Sequence, residues 1–260
     1  MPHTAGLWFE AHGTGRPLML LSGLSGVARG WSAQIAPLSR AFRVIVHDHR
    51  GTGRSDPAEG RISVERMADD AIALMDALEI ERADFLGHST GGAMALSLAH
   101  RYADRVGHVV VSSAWAAPDP DFLRGFEIRA DALRARGKAA YLRLSAEMTF
   151  GADWLAANRE TFEARLTRDL AEPPDADAIL RRIAAICRFD MSTELQKIRA
   201  PILVIYAEDD AVVPARATQA IANAVPGARA IRFVGGGHAL PLVAAQDYAR
   251  TVVAFLTNAG

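Results

Sequence analysis

Gly87-His88-Ser89-Thr90-Gly91 sets a serine between two glycines in the pattern Gly-x-Ser-x-Gly. Ala83-Asp84-Phe85-Leu86 before it is a short run of strand type, and Gly92-Ala93-Met94-Ala95-Leu96-Ser97-Leu98-Ala99 after it favours a helix. A serine on a sharp strand-to-helix turn has its hydroxyl lifted clear of the sheet, where it can act as a nucleophile. Gly87 and Gly91 leave room where side chains would collide with the crossing strand and helix. The helix N-terminus points free N–H groups at any oxyanion formed beside Ser89. Such a nucleophile requires a base, and the base requires an orienting acid. Both lie further along the chain. Glu208, Asp209 and Asp210 follow the apolar run Pro201-Ile202-Leu203-Val204-Ile205-Tyr206-Ala207, and His238 follows Ala230-Ile231-Arg232-Phe233-Val234 and three glycines. Each group stands past a strand's C-terminal end, the edge where α/β sheets assemble their sites. The chemistry these residue types support is acyl transfer through a serine hydroxyl.

The elements that must position them are strands at 17–21, 42–46, 83–86 and 106–111, alternating with helices. That alternation predicts a parallel sheet with helices on both faces. From 116 to 195 it stops, and only helical patterns remain. Asp119-Pro120-Asp121 opens the first helix, since proline and acids favour a first turn. Arg136-Gly137-Lys138, Phe150-Gly151-Ala152-Asp153 and Glu172-Pro173-Pro174-Asp175 separate it from three more. The expected organisation is a core of residues 1–115 and 196–260, with 116–195 inserted as a helical cap over the site.

Taken together, these motifs resemble the α/β-hydrolase family along nearly the whole chain. The resemblance implies the α/β-hydrolase fold, a mostly parallel twisted sheet with helices on both faces and an inserted cap. It also selects among the three acids. The family often reads Gly-x-x-Asp after this strand, with a proline four residues past the acid; Ala207 stands in the glycine's place, and Asp210 fits both spacings with Pro214. Asp209 is left to cap the turn. The oxyanion hole is expected from the backbone N–H groups of Thr90 and Leu24, the latter in Ser22-Gly23-Leu24-Ser25-Gly26. The family usually has His-Gly where this chain has Ser22-Gly23, which removes whatever bonds that histidine makes to the loop. Ser25 is placed to add a side-chain hydrogen bond. Asp48-His49-Arg50-Gly51-Thr52-Gly53-Arg54-Ser55 resembles the family's Asp-x-Arg-Gly-x-Gly-x-Ser turn, which is structural. It lacks the third glycine and the immediate helix of a dinucleotide fingerprint. His47 and His49 form a histidine pair without further ligands, so no metal is expected.

The cap is expected to choose the substrate. Trp115 should line the pocket's edge, Trp154 should lie deeper, and Phe150 should face the substrate. Arg124, Arg129, Arg134, Arg136 and Arg143 are concentrated here; most should be solvated, and Arg129 is the preferred carboxylate clamp through a two-pronged bond. Ser113-Ala114-Trp115, Phe126-Glu127-Ile128-Arg129, Phe150-Gly151-Ala152-Asp153-Trp154-Leu155 and Leu180-Arg181-Arg182-Ile183 resemble the aminoacrylate hydrolases of bacterial pyrimidine degradation. More loosely, they are similar to 3-oxoadipate enol-lactonases. The resemblance implies a serine hydrolase acting on a small ester, lactone, amide or enamine acid, with aminoacrylate of uracil catabolism, an enol-lactone or a general carboxylic ester as the substrate. A lyase, a cofactor-free haloperoxidase-like enzyme or a weakly active ligand receptor would carry the same residues.

The chain has 260 residues, 50% of them hydrophobic, and a formal net charge of −1. It can therefore bury a large core, and neither nucleic acid nor an anionic membrane is favoured as a partner. No apolar run is long enough to span a bilayer, and Met1-Pro2-His3-Thr4-Ala5-Gly6 has no basic or apolar leader pattern. The single Cys187 has no internal disulfide partner, which fits a reducing, cytoplasmic setting; it reads as a small buried residue. The expected partner is a small-molecule substrate, without cofactor, on a monomer or homodimer.

Overall fold

In the computed structural model, which describes residues 3–171 and 173–258, eight strands join in the order β1-β2-β4-β3-β5-β6-β7-β8. They are β1 (His3–Thr4), β2 (Leu7–His12), β3 (Pro17–Leu21), β4 (Arg43–His47), β5 (Ala83–His88), β6 (Val106–Ser112), β7 (Ile202–Ala207) and β8 (Arg229–Phe233). The pairs from β4 through β3, β5, β6 and β7 to β8 are parallel. β1 and β2, which the sequence reading does not foresee, run antiparallel at one edge, with Phe9 opposite His47 and Ala11 opposite Ile45. Met1, Pro2 and Glu172, named above, lie outside the described residues.

Helices α1 (Ser32–Leu38), α2 (Val64–Ala77) and α3 (Thr90–Arg101) alternate with the first parallel strands. α4 (Pro120–Thr149), α5 (Ala152–Ala157), α6 (Arg159–Ala171) and α7 (Ala176–Arg188) form one block between β6 and β7. α8 (Ala215–Ala224), α9 (Leu240–Val243) and α10 (Ala245–Asn258) complete the core. Successive strand side chains point to opposite faces, and this divides the sheet's apolar residues. Leu18, Leu20, Val44 and Val46 pack with Leu38 of α1 and with Tyr248, Val252 and Leu256 of α10. Met19, Leu21 and Ile45 pack with Ala68, Ile72 and Met75 of α2 and with Met94 and Leu98 of α3.

The inserted block differs in detail from the four expected helices. α4 is bent at Gly137 (φ 78°, ψ −176°), which divides it where expected. The third expected helix is two, α5 and α6, because the chain leaves helical angles at Asn158 (φ −129°, ψ 32°), whose side chain donates to Trp154 O at 3.0 Å. Asp119 and Asp175 cap α4 and α7 by accepting from Phe122 N at 2.8 Å and Ala178 N at 2.7 Å, as acids do before a first turn. The block's two ends meet: Met191 N donates to Ala116 O at 2.8 Å. Among the described residues no helix is long and apolar enough to cross a membrane.

Candidate active site

Ser89 stands between β5 and α3 with φ 56° and ψ −120°, a conformation that costs on the order of 1–3 kcal/mol for a residue with a side chain. The neighbouring glycines make it attainable. A Cβ on Gly87 would sit 2.1 Å from Gly91 O, and one on Gly91 would sit 1.9 Å from Leu21 O. Ser89 N donates to Ser112 O at 2.8 Å, which ties the turn to β6.

Asp210 follows β7. Its Oδ1 accepts from Val212 N and Val213 N, each at 2.9 Å, and its Oδ2 lies 2.8 Å from His238 Nδ1. The carboxylate thus favours the tautomer with the proton on Nδ1, leaving Nε2 free to accept. Burial opposes ionisation of Asp210, but His238 and the two backbone donors outweigh it and hold the carboxyl below its ordinary value. The His238 ring lies 4.7 Å from that of His88, the residue before Ser89. Burial, and then the proximity of His238, pull His88 down to about 3. His88 is therefore neutral at working pH, and of the two rings His238 is the one hydrogen-bonded to a carboxylate. Asp209 has a separate task. It accepts from Gly236 N at 3.3 Å and Gly237 N at 2.8 Å, fixing a loop whose positive φ values, 119° and 57°, suit glycine.

The loop after β3 packs on Ser89: a Cβ on Gly23 would lie 3.6 Å from Ser89 Oγ. Ser22 occupies the usual histidine position, and its hydroxyl donates to Val27 O at 3.1 Å, while Gly26 N donates to Gly23 O at 2.9 Å. The turn at 48–56 braces the same loop. Asp48 Oδ1 accepts from Ala28 N at 2.8 Å, and Asp48 Oδ2 accepts from Arg54 N at 3.0 Å and Arg54 Nε at 2.8 Å. Burial works against the Asp48 charge, but Arg54 and the backbone donors prevail and lower its pKa. Among the described hydrogen bonds, the Leu24 and Thr90 N–H groups have no acceptor within the chain. Ser25 is exposed and makes no hydrogen bond among those described.

The inserted helices bring together only part of the expected set. Trp115 is buried, 0% exposed. It is packed on Phe122, with ring centroids 4.6 Å apart, and is core rather than pocket edge. Trp154, expected deeper than Trp115, is the less buried of the two. Trp154 is partly exposed and stacks on Phe150 at 4.3 Å, while Phe150 is buried with Phe162, Leu166 and Ala239, the residue after His238. Arg124, Arg134, Arg136 and Arg143 are exposed, whereas Arg129 is buried. Arg129 Nε donates to Ser145 Oγ at 3.1 Å, and its guanidinium lies over Phe126 and Tyr141 at 5.0 and 5.7 Å.

Sequence reasoning missed one residue, Arg182 of α7, which is 1% exposed. Its Nε donates to Leu24 O at 2.8 Å, and its Nη2 lies 2.8 Å from His49 Nδ1. A signal existed: Ile179, Arg182, Ile183 and Ile186 fall at i, i+3, i+4 and i+7, so the charge sits on the helix's apolar stripe. Among the described residues no group of three or more His, Cys, Asp or Glu side chains could hold a metal ion.

Known proteins share this arrangement. The model of the alpha/beta hydrolase fold family matches residues 16–245. A provisionally named carbamate hydrolase, RutD of Pseudomonas syringae pv. syringae (strain B728a), is 38% identical over 250 residues, covering 95% of this chain and 96% of its own. A relative of the same name from Caulobacter sp. (strain K31) is 37% identical over 262 residues, covering 97% and 96%. Among solved structures, the enol-lactonase from Burkholderia xenovorans LB400 superposes with a TM-score of 0.88 at 30% identity, covering 97% of this chain and 96% of that one. With a family match from residue 16 to residue 245 and relatives alike along nearly their whole length, the chain belongs to the alpha/beta hydrolase family.

Proposed function

We propose that the protein is a serine hydrolase that uses Ser89, His238 and Asp210 on a small acidic ester, lactone, amide or enamine acid. The observation that carries this reading is the buried Asp210–His238 pair, 2.8 Å apart, set against the strained turn that presents Ser89. His238 Nε2 takes the Ser89 proton as the hydroxyl attacks a carbonyl carbon. Asp210 holds the ring in the required tautomer and stabilises the imidazolium. The N–H groups of Leu24 and Thr90 receive the oxyanion. His238 then protonates the leaving group, and water, activated by the same ring, frees the acid from the serine. With an enamine substrate, water adds directly and Ser89 binds rather than attacks.

The RutD relatives, named for carbamate hydrolysis, support a small substrate, and aminoacrylate and carbamate are the first to assay. The enol-lactonase neighbour supports lactone opening as the second reading. In either case the helices between β6 and β7 act as the cap that selects the substrate, with Phe150 and Arg129 as its binding residues. The test is labelling with a fluorophosphonate. Ser89 should be modified, and Ser89→Ala should abolish both labelling and turnover of a chromogenic acetate ester while the chain stays folded. Labelling of another serine, or near-normal turnover by the variant, would remove Ser89 from the reaction.

A further inference from the structure

Beneath the inserted helices lie two buried arginines and no acid to match them. Arg129 is 6% exposed and Arg182 1%, and neither forms an ion pair among the described residues. Both are associated with Tyr141: Arg129 lies over its ring at 5.7 Å, and the phenol favours the charged form of Arg182. Arg182 is the deeper of the two. Two of its nitrogens are used, Nε on Leu24 O and Nη2 against His49 Nδ1. The third, Nη1, is buried with no partner.

Burial lowers the Arg182 guanidinium to about 10, so it remains a cation at neutral pH. The groups around it offer no negative charge. Leu24 contributes a carbonyl; Gly26 of the same loop lies against the guanidinium, where an added Cβ would be 2.8 Å from Nη2. His49 is held neutral, its pKa far below the ordinary value through burial first and then the charge of Arg182. A buried cation without a counter-charge is costly, and an arginine offers the fork geometry that a carboxylate fits. Its position is also informative. Leu24, whose carbonyl it holds, follows Gly23, the residue packed against Ser89 Oγ. The Arg182 guanidinium is thus hydrogen-bonded to the residue next along the loop from the one that touches Ser89. Ser89 is itself only 4% exposed, so both groups are buried.

We infer that Arg182 Nη1 binds the carboxylate of a short-chain acidic substrate, making Arg182 the principal specificity residue of the site, with Arg129 as a secondary positive charge. This deepens the hydrolase reading above and rests on it. It predicts that anionic compounds are preferred over neutral ones of equal shape and that the preference belongs to α7.

Calorimetric titration of the full chain at pH 7 with propionate and its neutral isostere propionamide tests this without turnover. The wild-type chain should bind propionate about 10- to 100-fold more tightly than propionamide, the range expected for a charged hydrogen bond. Arg182→Gln should lose that preference, Arg182→Lys should keep part of it, and Arg129→Gln should weaken propionate less than Arg182→Gln does. Equal affinities in the wild type, or no propionate binding, would overturn the inference whether or not the variants fold. A folded Arg182→Gln that keeps the preference would also overturn it, as would a loss confined to Arg129→Gln. Fluorophosphonate labelling of the same wild-type sample reports on the hydrolase reading separately: failed labelling removes the serine reaction and leaves the anion preference as measured.

Discussion

Asp209 accepts the backbone N–H of Gly237 at 2.8 Å, one residue before the histidine whose ring Asp210 holds. Two consecutive carboxylates thus fix one loop, the first by its backbone and the second by its side chain. Asp210→Asn should reverse the preferred tautomer of His238 and lower ester turnover about 10³- to 10⁴-fold, by analogy with the acid of the serine-protease triad. Asp209→Asn should cost far less activity and act mainly by loosening the glycine loop. Steady-state kinetics on both variants decides between them, and the reverse ranking would place the acid one residue earlier.

Glycine has two different uses in this fold, and alanine replacements separate them. Gly91→Ala drives a Cβ to within 1.9 Å of Leu21 O, so β3 or α3 must shift and the variant should fail to accumulate as folded protein. At Gly137 nothing lies within 4 Å and only the φ of 78° resists a side chain. Gly137→Ala should lower stability by about 1–3 kcal/mol and leave Ser89 labelling unchanged. Chemical denaturation of both variants would expose any inversion of this order.

His47 should make the protein sensitive to acid. Burial, only partly offset by Asp48, lowers its pKa to about 4, and neither ring nitrogen has a partner. In the unfolded chain the group titrates near 6.5, so between pH 6.5 and 4 the unfolded state binds more protons. Stability then falls as pH falls. At pH 5 this one residue should cost about 2 kcal/mol relative to pH 7. His47→Leu should flatten the acid limb of a plot of Tm against pH; an unchanged slope would place the sensitivity elsewhere.

Ser22→Ala removes the hydroxyl bond to Val27 O at 3.1 Å. The Leu24 N–H should then be less well aimed at the oxyanion. Turnover of a neutral acetate ester should fall about tenfold, less than the loss of an oxyanion donor itself, with KM little changed. A rise in KM at constant kcat would assign Ser22 to substrate binding.

The parts of the site that could be read in the chain are those where the backbone demands a particular residue. Gly87 and Gly91 mark the turn at Ser89 because nothing larger fits there, and the glycines before His238 mark a loop with positive φ. Trp115 was misplaced because a large aromatic after a strand looks the same in sequence whether its neighbours are solvent or Phe122. β2 escaped notice because its burial pattern does not alternate: Leu7 and Trp8 are both buried, and the polar end of the strand follows. Arg182 was legible only as an interruption of an isoleucine stripe. What occupies that interruption is set by Leu24 and His49, which are distant in sequence.

The bond between Met191 N and Ala116 O gives the inserted helices a single doorway. Chain leaves the core and re-enters it at the same place, so β6 and β7 pair with no regard to what stands between them. Everything from α4 to α7 hangs from that one point of the chain's path, and returns to the core through side chains such as Arg182 on Leu24 O and Phe150 on Ala239. Helices of another relative, grafted at those two residues, would meet the same strand register but would have to replace the Arg182 bond to Leu24 O and the Phe150 packing on Ala239. They would bring their own arginines, or none. Under the function proposed above, substrate choice would be portable: it would travel as a cassette, while the chemistry stays with the strands.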